Sequence, residues 1–396
     1  MTVALALGLA SLAIWLVLLL ACGGFWLLRD YDRRDGEEPP DPPRWPPVVA
    51  VVPARDEADV IALSVGSLVT QDYPGPFRVV LVDDGSTDGT AAAARAAADA
   101  AGQGHRLEIV PGSPPPQGWT GKLWALQTGI RRIAEEDPDY LLLTDADIGH
   151  LPSTLRSLVA RAEAGRLSLV SLMALLSCTT RAERFLIPAF VFFFRMLYPF
   201  AWVADPRART AAGAGGVMLV RRASLERAGG IAAVRSEIID DCALAARLKA
   251  VGPIWLGLTH RAVSLRPYVS VAEIGRMVSR SAYAQLRYSP LLLLGTLLGL
   301  GLVYVVPPAL AVFGTGAART TGFVAFVLMC VAFGPMLRFY AVSPLWALAL
   351  PAIALTYAWF TLLSAVQVWR GRGGMWKGRA QAQVGGQPGR EAEAGP

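Results

Sequence analysis

Residues 3–28 are almost wholly apolar and stop at Arg29-Asp30. At ~1.5 Å rise per residue, a helical run of this length crosses a hydrocarbon core ~30 Å thick. A cleaved signal peptide is the alternative. It fits less well, because the run is too long, no basic residue precedes it and no clear small-x-small site follows it. Residues 1–28 therefore read as an uncleaved membrane anchor. Arg29, Arg33 and Arg34 follow it and direct the next domain to the cytoplasm.

Three more apolar runs, 290–313, about 320–337 and about 344–369, make 290–369 a carboxy-terminal membrane region of two or three helices. If all three cross, the basic residues Arg370, Arg372, Lys377 and Arg379 lie outside, against the positive-inside tendency; if two cross, they stay in the cytoplasm. The middle run is the shortest and carries Gly334-Pro335 and Arg338 near its end, so it is the weakest spanning candidate. Residues 370–396 read as a basic and then disordered tail. These runs account for a chain that is 54% hydrophobic. The net charge of +6 gathers beside apolar segments, which suits anionic lipid head groups. No basic stripe interleaves with aromatics, so nucleic acid is not an expected partner. The four cysteines lack metal-ligand spacing and the three histidines are scattered, which argues against a disulfide framework, a histidine zinc site and a Ser-His-Asp hydrolase.

Between the membrane segments, residues 29–47 are charged and proline-rich and read as a stiff linker outside any core. Residues 48–265 alternate short apolar runs with helix-like stretches. Val48–Val52, Arg78–Val82, Arg106–Val110 and Tyr140–Thr144 read as buried strands, with further strands near 168–175 and 215–221. Helices are expected near 57–70, 87–101 and 121–135. This order predicts an α/β domain, a mostly parallel sheet with helices on both faces. Residues 185–204 are very apolar but hold Pro188, Arg195 and Pro199. An interfacial segment would let Arg195 reach the surface; a span or a buried core helix would not. Residues 266–289 read as an interfacial helical connection.

Ligands of open parallel sheets sit outside the carboxyl ends of the strands. Here those ends carry Pro53-Ala54-Arg55-Asp56-Glu57, then Asp83-Asp84-Gly85-Ser86, then Asp145-Ala146-Asp147. Carboxylates gathered on one edge need a cation or hydrogen-bond donors. Asp145 and Asp147 are the metal candidates, since alternate residues of an extended segment project to one side and Mg2+ or Mn2+ takes one or two carboxylates plus phosphate oxygens. The competing reading puts Asp147 near the cap of a helix starting around Pro152. Asp83 and Asp84 could accept from a nucleobase or ribose, while Ser86, Thr87 or Asp88 could cap the next helix. Glu57 could equally sit in a first helical turn. Lys122 could counter phosphate charge or be a solvated lysine at a helix start. Asp240-Asp241 could supply a base for an acceptor hydroxyl or could cap the helix that follows.

Taken together, Pro53–Glu57, Val82–Thr90, Thr144–Asp147, Gly213–Arg221 and Asp240-Asp241 resemble family 2 glycosyltransferases of the GT-A fold, over roughly residues 48–260. With the anchor, residues 118–129 (GWTGKLWALQTG) and Trp376-Lys377-Gly378-Arg379, the chain looks most like the hopene-associated glycosyltransferases and is similar to carotenoid and ceramide glycosyltransferases. The resemblance implies a nucleotide-sugar donor, with Pro53, Ala54, Arg55, Glu57, Asp83 and Asp84 around its nucleoside, expected to be uridine. It implies Asp145 and Asp147 at ribose and metal-diphosphate, and Asp241 as general base beside Asp240. It also implies inversion at the anomeric centre and a membrane-lipid acceptor, with a hopanoid as the expectation. Two departures stand out. The family's Glu-Asp is Asp-Asp here, and the Gln-x-x-Arg-Trp signature is not intact. Arg276 and Arg280 remain as candidates for phosphate or lipid contacts. The expected setting is a multi-pass protein of the bacterial cytoplasmic membrane, its catalytic domain facing the cytoplasm. Transfer to a polyprenyl phosphate or a growing polysaccharide is the enzymatic alternative, and a membrane scaffold with an inactive domain the non-enzymatic one. A transporter is disfavoured, because the carboxy-terminal runs hold essentially no ionisable group apart from Arg338.

Overall fold

The computed structural model describes residues 2–32, 39–371, 375–376 and 379–380. Most of the expected tail, and residues 33–38 of the expected linker, lie outside the described residues. A single mixed sheet organises the centre of the chain. Its strands are β1 (Val48–Ala54), β2 (Phe77–Asp83), β3 (Leu107–Pro111), β4 (Tyr140–Thr144), β5 (Ile148–His150), β6 (Leu169–Leu175), β7 (Val217–Arg221) and β8 (Ile254–Ser264), in the order β3-β2-β1-β4-β7-β6-β8-β5. Strands β3, β2, β1 and β4 run parallel, β7 enters antiparallel between β4 and β6, and β6 pairs parallel with β8.

The helices are α1 (Val3–Ala21), α2 (Ile61–Val69), α3 (Thr90–Ala100), α4 (Gly121–Arg132), α5 (Thr154–Ala164), α6 (Arg181–Leu197), α7 (Phe200–Ala204), α8 (Arg222–Arg227), α9 (Asp240–Lys249), α10 (Val271–Ser279), α11 (Ala282–Gln285), α12 (Pro290–Leu300), α13 (Val306–Phe313), α14 (Gly316–Phe339) and α15 (Leu350–Trp369). Every residue of β1 is buried because its side chains alternate between two covered faces. Val48, Ala50 and Val52 join a core with α2, α3 and α5. Val49 and Val51 join the opposite core with α4, α6 and α9. Gly129 lets α4 lie against the sheet: a Cβ there would come within 2.5 Å of Val51.

Four helical runs are long and apolar enough to cross a membrane by length and composition: Val3–Ala21, Pro290–Phe313, Gly316–Phe339 and Pro344–Trp369. The middle carboxy-terminal run, the weakest on sequence, is a continuous helix of 24 residues despite Pro335. It packs along α1 and α13.

Two expectations need correction. Arg195 does not reach the surface. It is fully buried in α6, donates to the Phe25 carbonyl at 2.8 Å, lies 3.4 Å from Asp30 and stacks over Phe200. Residues 185–204 thus follow the core-helix reading along the face that holds Leu186, Ile187, Phe192 and Arg195. The linker also is not wholly outside the core. Tyr31 bridges to Leu258 of β8, and buried Asp32 accepts from Thr259 Oγ1 at 2.6 Å and pairs with buried Arg261. A charged residue at the core must be paired, and this linker supplies the partner.

Candidate functional site

Strand ends β1, β2 and β4 and the start of α9 converge at one edge of the sheet. Pro53, Lys122, Thr144, Asp145, Gly215, Asp240 and Asp241 line one narrow cleft there. Lys122 is its centre. Thr120 caps α4 by accepting from Leu123 N–H, which sets Lys122 in the first turn. From there Lys122 Nζ lies 2.7 Å from Asp145 Oδ1 and 3.6 Å from Asp240 Oδ2. Burial opposes its charge, but Asp145, Asp240 and Asp241 more than offset this and raise its pKa. The solvated-lysine reading is therefore excluded.

Asp241 reaches back across the cleft. Its Oδ2 accepts from Gly215 N–H at 3.0 Å and its Oδ1 from Cys242 N–H at 2.7 Å. Neither aspartate caps α9, which starts at Asp240 with Ile239 as its N-cap, and Gly215 belongs to the segment before β7. Burial and then the neighbouring Asp240 push its carboxyl up to about 6, against the pull of Lys122. A carboxylate with that pKa can take a proton near neutral pH.

Asp147 precedes strand β5, and α5 begins only at Thr154, so Asp147 is not a helix cap. Its backbone carbonyl accepts from Leu265 N–H, which brings the segment after β8 alongside. Burial, then Asp145 and Glu57, raise its carboxyl to about 6, with Arg266 opposing. Arg266 is the residue that sequence reasoning missed. Its guanidinium pairs with Glu57 and lies 3.6 Å from Asp59 and 3.7 Å from Asp147. No signal could have found it without β8, whose apolar pattern is broken by Gly257, His260 and Arg261.

Glu57 itself lies ahead of α2, which starts at Ile61, so it is not in a first helical turn. Arg55 donates to the Asp84 carbonyl at 2.8 Å and approaches its carboxylate at 3.4 Å. Asp83 Oδ1 accepts from Ser86 N–H at 2.9 Å. Ser86 and Thr87 do not cap α3, whose N-cap is Gly89. Instead Ser86 Oγ accepts from Asp56 N–H and Thr90 Oγ1 from Glu57 N–H, so the first two loops hold each other. Behind β4, Thr144 Oγ1 donates to the Gly216 carbonyl and contacts His150 Nε2, whose buried ring is held neutral with a pKa of about 4.

Arg276 and Arg280 stay outside this cleft. Both are exposed on α10 or at its end, and among the described residues the Arg276 side chain makes a 4.0 Å surface pair with Glu273. Beside the cleft, Gln285 donates to Tyr198 Oη at 2.6 Å, and Asp241 is among the charges acting on Tyr198. Sequence reasoning gave neither Gln285 nor Tyr198 a role.

Residues 49–228 match the family described as glycosyl transferase family 2. No curated protein sequence matches the chain. Among solved structures, a mannosyltransferase from Pyrobaculum calidifontis in complex with GDP-Man and Mn2+ is 22% identical, with a TM-score of 0.56, covering 93% of this chain and 99% of that one. Glucosyl-3-phosphoglycerate synthase from Mycobacterium tuberculosis in complex with Mg2+ and UDP is 19% identical, with a TM-score of 0.39, covering 61% of this chain and 79% of that one. The first likeness extends the shared fold past the sheet into the flanking helices.

Proposed function

We propose that this chain, whose residues 49–228 form a family 2 glycosyltransferase domain, moves a sugar from a nucleoside-diphosphate donor onto a membrane lipid. The observation that carries the reading is Lys122, which stands between Asp145 on the donor edge and the Asp240-Asp241 pair. Donor phosphates and a base would share one cleft.

Pro53, Ala54, Arg55, Glu57, Asp83 and Asp84 would surround the nucleoside, with uridine as first choice. The residues present suit a divalent ion. Among the described residues no group of three or more His, Cys, Asp or Glu could cage a metal unaided. Asp145 and Asp147 are two crowded carboxylates that phosphate oxygens and water would complete, the donor set that Mg2+ or Mn2+ takes. Such an ion supplies charge neutralisation to a departing diphosphate.

Asp241 would take the acceptor hydroxyl's proton as that oxygen bonds to the anomeric carbon. The bond from that carbon to the diphosphate oxygen breaks in the same displacement, and the configuration inverts. Gly215 N–H and Cys242 N–H fix the carboxylate, while Lys122 balances the negative charge left on the diphosphate. A lipid acceptor is supported by the four apolar helices around the domain, and a hopanoid by the resemblance of residues 118–129 and 376–379. The arginines after α1 support a domain on the cytoplasmic face of a bacterial inner membrane. The exposed Arg276 and Arg280 favour a phosphate-bearing acceptor such as polyprenyl phosphate as the second reading.

The test is titration of UDP and GDP, with and without Mn2+, into detergent-purified protein and its Asp147→Ala variant. Metal-dependent binding of one nucleotide that the variant loses supports the donor site. No binding of either by folded protein overturns it. Transfer of labelled sugar to hopanoid or to polyprenyl phosphate then separates the two acceptor readings.

A further inference from the structure

Length and apolar composition make Pro344–Trp369 a candidate span, yet its two ends pack where α14 ends and where α12 begins. The run Pro290–Phe313 leaves the domain at Ser289, which caps α12. A tight turn at Gly314-Thr315 leads into α14, which returns and ends against the domain: Phe339 stacks on His260 of β8 at 4.4 Å. Pro344 follows five residues later. At the other end, Trp369 packs edge-on against Tyr283 of α11 at 5.8 Å, and Ala365 clusters with Tyr283 and with Leu293 in the first turn of α12. The segment therefore starts where α14 comes back and finishes where α12 sets out.

The segment starts part-way along α14: Cys330 Sγ meets the Ala347 carbonyl, and Cys330 lies nine residues before the end of α14 at Phe339, ~14 Å at 1.5 Å per residue and about half of a ~30 Å hydrocarbon core. From there α15 is tied to domain-side elements along its length. Tyr357 Oη donates to the Leu186 carbonyl at 2.9 Å, Phe360 fills the space at Gly275, Ser364 Oγ donates to the Ser279 carbonyl, and Tyr283 N–H donates to Ser364 Oγ.

We propose that Pro344–Trp369 is a re-entrant segment that docks into the domain-side leaflet and returns, so that the chain crosses the bilayer three times. Its lipid-facing side is Leu345, Leu348, Leu355, Trp359 and Trp369, all exposed. Tryptophans at such positions suit the level of the head groups. The arrangement also removes the charge conflict in the sequence. Arg370 falls on the domain face with Arg29, toward the head groups of that leaflet, and Arg319 is left on the opposite face.

The experiment is labelling of single added cysteines in the full chain with a membrane-impermeant maleimide, in intact cells and after permeabilisation, against the wild-type background. Ala101→Cys marks the domain, Thr315→Cys the far turn and Ala394→Cys the tail; Ala317→Cys replaces Thr315→Cys if that variant fails to accumulate. The expected result is that Ala394→Cys labels with Ala101→Cys and opposite to the far-turn cysteine. A tail cysteine that labels with the far turn, opposite to Ala101→Cys, means a fourth crossing and overturns the proposal. A far turn that labels with the domain overturns it too.

Discussion

Lys122 Nζ stands 2.7 Å from Asp145 Oδ1 and 3.6 Å from Asp240 Oδ2, one cation joining the end of β4 to the start of α9. Replacing it with methionine leaves three neighbouring carboxylates without their counter-charge. Partial exposure of the pair softens the loss, which is expected to be about 2 kcal/mol at pH 8. Thermal unfolding in detergent should show the deficit shrinking as pH falls and the carboxylates protonate. An equal deficit at pH 5 and pH 8 would mean that Lys122 acts through packing alone.

Asp241→Asn tests the base. Transfer is expected to fall by ~100-fold or more in kcat, while nucleotide affinity stays within about twofold. In the parent protein the rate should decline below about pH 6 as the Asp241 carboxyl protonates. Stability has the opposite sign. A folded-state pKa raised above the unfolded value makes ionisation costly, so stability falls as pH rises from about 4 to 6 through this group. The asparagine variant should lack that part of the slope, which urea melts at several pH values would reveal.

On the proposed reading, Arg266 and the metal compete for Asp147. Arg266→Gln should therefore bind Mn2+ several-fold more tightly in the absence of nucleotide, as read by calorimetry. Weaker Mn2+ binding would show instead that Arg266 positions Asp147 for the ion.

Asp30→Ala strands the Arg195 guanidinium in the core. Losing one partner of a buried pair costs about 3–5 kcal/mol, a clear drop in unfolding temperature. The double variant Asp30→Leu with Arg195→Met should recover much of it. If the single variant melts like the parent, Phe25 and Phe200 alone hold Arg195.

Glu183 predicts a separate acid limb. Burial would raise its pKa, but N–H donors from Thr179, Thr180 and Tyr268 prevail and lower it to about 2. Its contribution is complete above about pH 4.5 and is lost as pH falls toward 2. Glu183→Gln should be less stable than the parent at pH 6 and nearly equal to it near pH 2.

The parallel half of the sheet was legible in the chain because each strand there is a short, doubly buried apolar run that ends in polar residues. Tyr140–Thr144 was placed to the residue, and β1, β2 and β3 to within one or two. Strand β8 was not legible. Its Arg261 looks like a surface residue until Asp32, far away in sequence, arrives beside it. Arg266 was hidden with it, and so was half of the charge balance around Asp147. The acidic residues of the cleft could be picked out because strand ends converge by topology. Which cation meets which carboxylate depends on loops that local pattern does not specify. Arg195 was misjudged for the same reason as Arg261: its partners, the Phe25 carbonyl and Asp30, lie in the turn after the anchor.

Those two clamps, Asp30 to Arg195 and Asp32 to Arg261, lie within three residues of each other on the stretch leaving α1. A flexible leash would let the sheet domain wander and tilt above the bilayer. Here the stretch is bolted to α6 and to β8, so the cleft keeps one height and one heading relative to α1. On the proposed lipid-acceptor reading, a substrate anchored beside α1 has to present its reactive end at that height, and its own length becomes a criterion of selection.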